Sequence, residues 1–107
     1  MIKVSVTRNR QGDVQALNVR SHGDPMVCAA VSALALNTVN SLDELTDERF
    51  TCEYAEEGGF LEIKFPDAKV GLGYDARLLT ASLMLGLRSI LEEHPNDIII
   101  EDKEAKT

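Results

Sequence analysis

Apolar and polar positions alternate from Ile2 to Arg8, with Ile2, Val4 and Val6 in step, and again less regularly from Val14 to Arg20. A period of two belongs to a strand with one buried face, and the turn-rich Asn9-Arg10-Gln11-Gly12-Asp13 between the runs predicts a hairpin. At Pro25 the period changes. Val27, Val31, Leu34, Thr38, Leu42 and Leu45 recur at three- and four-residue steps, one face of a helix from about Pro25 to Leu45. Asp24 is a preferred N-cap and Pro25 suits the first helical position, so the helix is expected to start there. Ala29, Ala30, Ala33, Ala35 and Leu36 spread apolar character around this helix, which predicts that a second helix or another subunit covers it.

Beyond Thr46-Asp47-Glu48, two strand-like runs, Phe50 to Glu56 and Phe60 to Phe65, flank Glu57-Gly58-Gly59 and predict a second hairpin whose glycines accept positive φ. Pro66-Asp67 ends it, and Gly71 and Gly73 loosen the connection to a second helix, about Asp75 to Glu93, built on Leu79, Leu83, Leu87 and Ile90. His94-Pro95 stops that helix, and Asp97-Ile98-Ile99-Ile100 supplies a last strand. The order β-β-α-β-β-α-β predicts an α+β fold: one sheet from both hairpins and the last strand, with two helices packed on one face. The 107 residues fit one domain, 1–107, with about 101–107 read as a frayed tail. The two β-β-α halves share no residue pattern, so the recurrence is one of topology. Gly71-Leu72-Gly73 lacks the third glycine of a dinucleotide site and reads as a flexible link.

Composition narrows the function classes. The net charge is −7, and between Asp43 and Glu62 eight acids face one base, Arg49. That stretch repels a phosphate backbone and disfavours direct nucleic-acid binding; it fits either a basic polypeptide partner or a solvated face. Few aromatic residues are available to stack on bases, which weakens an RNA-binding sheet further. No apolar run is read as spanning a membrane and no secretory signal precedes the first strand, so a cytoplasmic protein is expected. Cys28 and Cys52 are then reduced thiols, with Cys52 in the third strand read as ordinary packing. The scattered histidines and cysteines offer no metal-ligand spacing, and no cofactor enters the reading.

The chemistry concentrates in Ser21-His22-Gly23-Asp24-Pro25-Met26-Val27-Cys28. Cys28 falls in the first full turn of the helix, where the dipole stabilises an anion by roughly 0.3–1 kcal/mol. An imidazolium about 4 Å away contributes about 4 kcal/mol before desolvation at an effective dielectric near 20, so His22 is the decisive partner. Gly23 and Asp24-Pro25 suit the reversal that brings the two together. Cys-His chemistry would then attack an acyl carbon, with N–H groups of the helix's first turn as donors to the oxyanion. Spacing alone fits a small buried cysteine in an alanine-rich helix better than a nucleophile. Asp24 is open to two roles, N-cap or a partner orienting His22. Ser32, four residues past Cys28, either serves the site or bonds back to its own turn.

The run Val27-Cys28-Ala29-Ala30-Val31-Ser32-Ala33-Leu34, preceded by His22, resembles the ribosomal-processing cysteine protease family known as Prp. The likeness continues in Asn37-Thr38-Val39-Asn40-Ser41-Leu42, in Leu85-Gly86-Leu87-Arg88-Ser89-Ile90 and in Glu93-His94-Pro95. It implies a cytoplasmic bacterial endopeptidase, homodimeric, that removes a short N-terminal extension from a large-subunit ribosomal protein. Cys28 is then the nucleophile and His22 its general base. The chain departs from the family in three ways: Ser21-His22 replaces the usual Gly-His, only Gly23 to Val27 separate histidine from cysteine, and Pro25 stands where the family's aspartate lies, with Asp24 one residue earlier. A non-catalytic, ribosome-associated binding module is the alternative.

Overall fold

The computed structural model describes residues 1–103. Strands β1 (Ile2–Arg8) and β2 (Val14–Arg20) form the first hairpin, and helix α1 runs Pro25–Leu45. Strands β3 (Thr51–Tyr54) and β4 (Phe60–Lys64) form the second, followed by a short 3₁₀ turn (Ala68–Val70), helix α2 (Tyr74–Glu93) and β5 (Ile98–Lys103). The sheet order is β3-β4-β2-β1-β5. Among the described residues only β1 and β5 pair in parallel, Ile2 opposite Ile98 and Val4 opposite Ile100.

This order explains why both helices share a face. By the pairings, β2 runs parallel to β3 and β4 runs parallel to β5, so each helix is a crossover between parallel strands. The two crossovers travel in opposite directions from strands of opposite sense, and right-handed connections then put both helices on the same side. The covered face carries Val4, Val6, Leu17, Leu61, Ile63 and Ile98, all buried. The other face is open and polar, with Lys3 paired to Glu101 at 3.0 Å and Arg20 lying 5.3 Å over the Phe60 ring.

Helix α1 buries Val27, Val31, Ala35, Thr38 and Leu42. Thr38 satisfies its hydroxyl by donating to Leu34 O at 2.9 Å. Helix α2 covers α1 as expected, and the approach is close: a Cβ at Gly86 would meet Leu34 Cδ1 at 2.8 Å. Leu45, expected on the buried face, is 71% exposed, because the last turn of α1 runs past the core. By length and composition α1 is also apolar enough to cross a membrane, with a mean hydropathy of 1.4, contrary to the sequence expectation. Its alanines raise that mean without widening the stripe that packs on the sheet.

The tail expectation is corrected in part. Residues 101–103 continue β5, Glu101 to Lys103 pairing with Ser5 to Thr7 of β1. Asp102 locks this end, taking Arg8 Nε at 2.8 Å, Arg8 Nη2 at 2.9 Å and Arg88 Nη2 from α2 at 3.0 Å. The remainder of the expected tail, 104–107, lies outside the described residues. In the β1–β2 turn at the same end of the sheet, buried Asp13 accepts from Leu72 N at 3.1 Å and pairs with Arg77 at 3.0 Å, fastening the first hairpin to the start of α2.

Candidate active site

The chain turns from β2 into α1 within a few residues. Ser21 adopts φ 73°, the one non-glycine residue with positive φ among those described. Its N–H donates to Gly59 O at 3.0 Å, tying the end of β2 to the β3–β4 turn. Met1 N donates to His22 O at 3.0 Å. Asp24 then caps α1: Met26 N and Val27 N donate to its Oδ1 at 3.0 and 3.2 Å. Of the two roles open to Asp24, the N-cap is the one built, and no hydrogen bond among the described residues joins it to the His22 ring.

The cap also corrects the expected oxyanion donors. Pro25 has no N–H, Met26 and Val27 are held by the Asp24 carboxylate, and Cys28 N donates to Asp24 O at 2.9 Å. Every first-turn donor is therefore occupied, because a good N-cap satisfies the same groups that would greet an incoming anion.

A cleft of about 270 Å³ opens between α1 and the β3–β4 hairpin. Ile2, Val19 and Leu61 make its floor, Cys28, Val31, Ser32 and Leu36 its helical wall, and Tyr54, Glu56, Gly58 and Gly59 its opposite wall. Cys28 is a free, half-buried thiol in that wall. Ser32 is exposed to the cleft and, unlike Thr38 and Ser89, makes no bond back to its own helix among the described residues. The exposed His22 ring rests on the Gly58-Gly59 turn and is not among the residues that line the cleft. A Cβ at Gly59 would lie 2.7 Å from His22 Nε2 and 3.2 Å from its Cε1, and one at Gly58 would lie 3.5 Å from Cε1.

Cys28 lines the cleft and the His22 ring packs on the Gly58-Gly59 turn that forms part of its opposite wall, although no hydrogen bond among the described residues joins Sγ to the ring. Cys52, on β3, packs against the core outside the cleft, and burial pushes its thiol up from the ordinary value. The contact of Gly59 with His22 is invisible to local sequence reading. The two glycines signal only a turn, and nothing nearby points to a residue thirty-seven positions upstream. The acidic stretch is partly engaged in structure: Glu48 accepts from Gly73 N at 2.8 Å at the start of α2, and Arg49 pairs with Asp67 at 3.0 Å. Glu56 stays at the cleft wall. Among the described residues no three His, Cys, Asp or Glu side chains gather as a metal site.

Comparison with known proteins gives the family. Residues 1–99 fit the family model described as Cysteine protease Prp. Ribosomal processing cysteine protease Prp from Staphylococcus aureus (strain Mu50) is 30% identical over 109 residues, covering 96% of this chain and 100% of that protein. A crystal structure of the essential ribosomal processing protease Prp from S. aureus, in complex with a covalently linked product peptide, superposes with a TM-score of 0.87 at 31% identity. The same protease in complex with a substrate peptide gives 0.86 at 29%. Both superpositions cover 96% of this chain and 100% of the other. With the match running through both hairpins and both helices, the chain belongs to the Prp family of cysteine proteases.

Proposed function

We propose that this chain is a thiol endopeptidase in which Cys28 is the nucleophile and His22 the general base, and that it trims a short N-terminal extension from a large-subunit ribosomal protein. One observation carries this reading: Cys28 lines a cleft whose opposite wall, the Gly58-Gly59 turn, bears the His22 ring. In the reaction His22 accepts the Sγ proton, the thiolate adds to the scissile carbonyl carbon, and the C–N bond breaks as the imidazolium returns that proton to the leaving amine. Water then attacks the thioester with His22 again as base, releasing the new carboxylate and the thiol. Ser32 offers its hydroxyl to bound substrate, and Asp24 supports the site by deciding where α1, and so Cys28, begins.

A peptide occupant fits the cleft's apolar floor and hydrogen-bonding walls, and the net charge of −7 favours a basic one such as a ribosomal protein. No cofactor or nucleic acid takes part in the proposed reaction. The active unit is the whole chain as one domain, acting in the cytoplasm as a homodimer; the exposed Leu78 and Leu85, seven residues apart on one face of α2, support a second copy as their cover. Incubation with the large-subunit ribosomal proteins of the encoding organism should release one N-terminal fragment, read by mass spectrometry, and Cys28→Ala should abolish it.

The missing Sγ to imidazole hydrogen bond favours a second reading, a module that binds the same ribosomal protein without cutting it. Catalytic contacts often tighten only on substrate binding, so the peptidase reading stands ahead. A Cys28→Ser protein decides between them: it should trap substrate that the parent cleaves, whereas a pure binding module would behave identically with either residue.

A further inference from the structure

We propose that Gly59 is the positioning residue for the His22 imidazole, its bare backbone supplying the orientation that a third side chain gives in a triad. The inference rests on the peptidase reading above. The ring fills the space that any side chain at position 59 would take, with Nε2 only 2.7 Å from the Cβ position. The turn beneath it is held by its own bonds, Gly58 N to Ala55 O at 2.9 Å and Ala55 N to Phe60 O at 3.0 Å. A third bond, Ser21 N to Gly59 O at 3.0 Å, links the turn directly to the residue before His22, so backbone and ring are registered on one platform. The usual orienting carboxylate is otherwise engaged, since Asp24 caps α1, and no other side chain among those described bonds the ring.

Gly59 has φ 87°, so a substitution there also strains the backbone. Gly12 provides the matched control. It has φ 86°, lies in the β1–β2 turn at the other end of the sheet, and would have nothing within 4 Å of an added Cβ. The test compares Gly59→Ala with Gly12→Ala in the full chain, together with Gly59→Asn and Gly12→Asn, because asparagine takes the left-handed region at less cost and keeps the variant folded. The readout is the iodoacetamide alkylation rate of Cys28 by mass spectrometry from about pH 5 to 9, alongside thermal unfolding. The two positions should lose similar stability. Only the position 59 variants should slow Cys28 at least about tenfold near pH 6.5 and take on the pH profile of His22→Ala. Position 59 variants that keep the parent's profile overturn the proposal while leaving the peptidase reading intact. A His22→Ala protein indistinguishable from the parent ends both, because the ring then has nothing to activate.

Discussion

Replacing Ser21 by glycine should stabilise the protein, although it deletes a side chain beside the candidate active site. Ser21 sits at φ 73°, where Cβ crowds the following carbonyl oxygen and an L-residue costs about 1–2 kcal/mol. Its hydroxyl makes no hydrogen bond among the described residues, and the bond it does make, N–H to Gly59 O, belongs to the backbone and survives in glycine. Against this gain stands the wider freedom of glycine in the unfolded chain, worth about 0.5–1 kcal/mol. The difference leaves about 0–1.5 kcal/mol, centred near 0.75, in favour of Ser21→Gly, which for a chain of this size raises the melting midpoint by about 3 °C at the centre of that range. Ser21→Val, β-branched in the same region, should lose at least about 1 kcal/mol. Urea titrations of the three proteins at one pH give the order directly, with equal m-values as the check that only stability has changed. A Ser21→Gly protein no more stable than the parent would show that the left-handed turn is not under strain and would refute the reasoning. The result also bears on the family resemblance, since the usual glycine before the histidine would then be explained by backbone geometry rather than by chemistry.

Three further outcomes are expected. Cys28 should be alkylated well ahead of Cys52 at neutral pH, because burial keeps the Cys52 thiol protonated while His22 activates Cys28, and His22→Ala should narrow the difference to what the burial of Cys52 alone leaves; equal labelling in the parent would count against the site. Asp24→Ala should cost about 1 kcal/mol in urea unfolding by freeing Met26 N and Val27 N, while Asp24→Ser recovers most of it; a null effect would mean that α1 does not depend on its cap. The hydrogen bonds from Arg8, helped by Arg88, hold the Asp102 carboxyl below its ordinary value of 3.8. A folded value below the unfolded one adds stability that is full above about pH 4 and is lost as pH falls through the folded value. Asp102→Asn should therefore flatten the acid limb of stability against pH, and an unchanged limb would exclude this contribution.

Much of the architecture was legible in local sequence because its determinants lie within a few residues of one another. Asp24-Pro25 marks the start of α1, since a side chain two or three residues away can satisfy orphan N–H groups. The alternation of Ile2, Val4 and Val6 marks a one-sided strand, and the paired glycines at 58 and 59 mark a turn that needs positive φ. The same short-range signals misjudged the ends: β3 stops at Tyr54 rather than Glu56, and β5 runs on to Lys103 because β1 and the Arg8–Asp102 pair await it. What the residues in order did not contain was who meets whom. The parallel pairing of β1 with β5, the Gly59 platform under His22 and the occupied N–H groups ahead of Cys28 all follow from closing long loops. That closure is set by burial of one sheet face under two right-handed crossovers, and no window of neighbouring residues carries it.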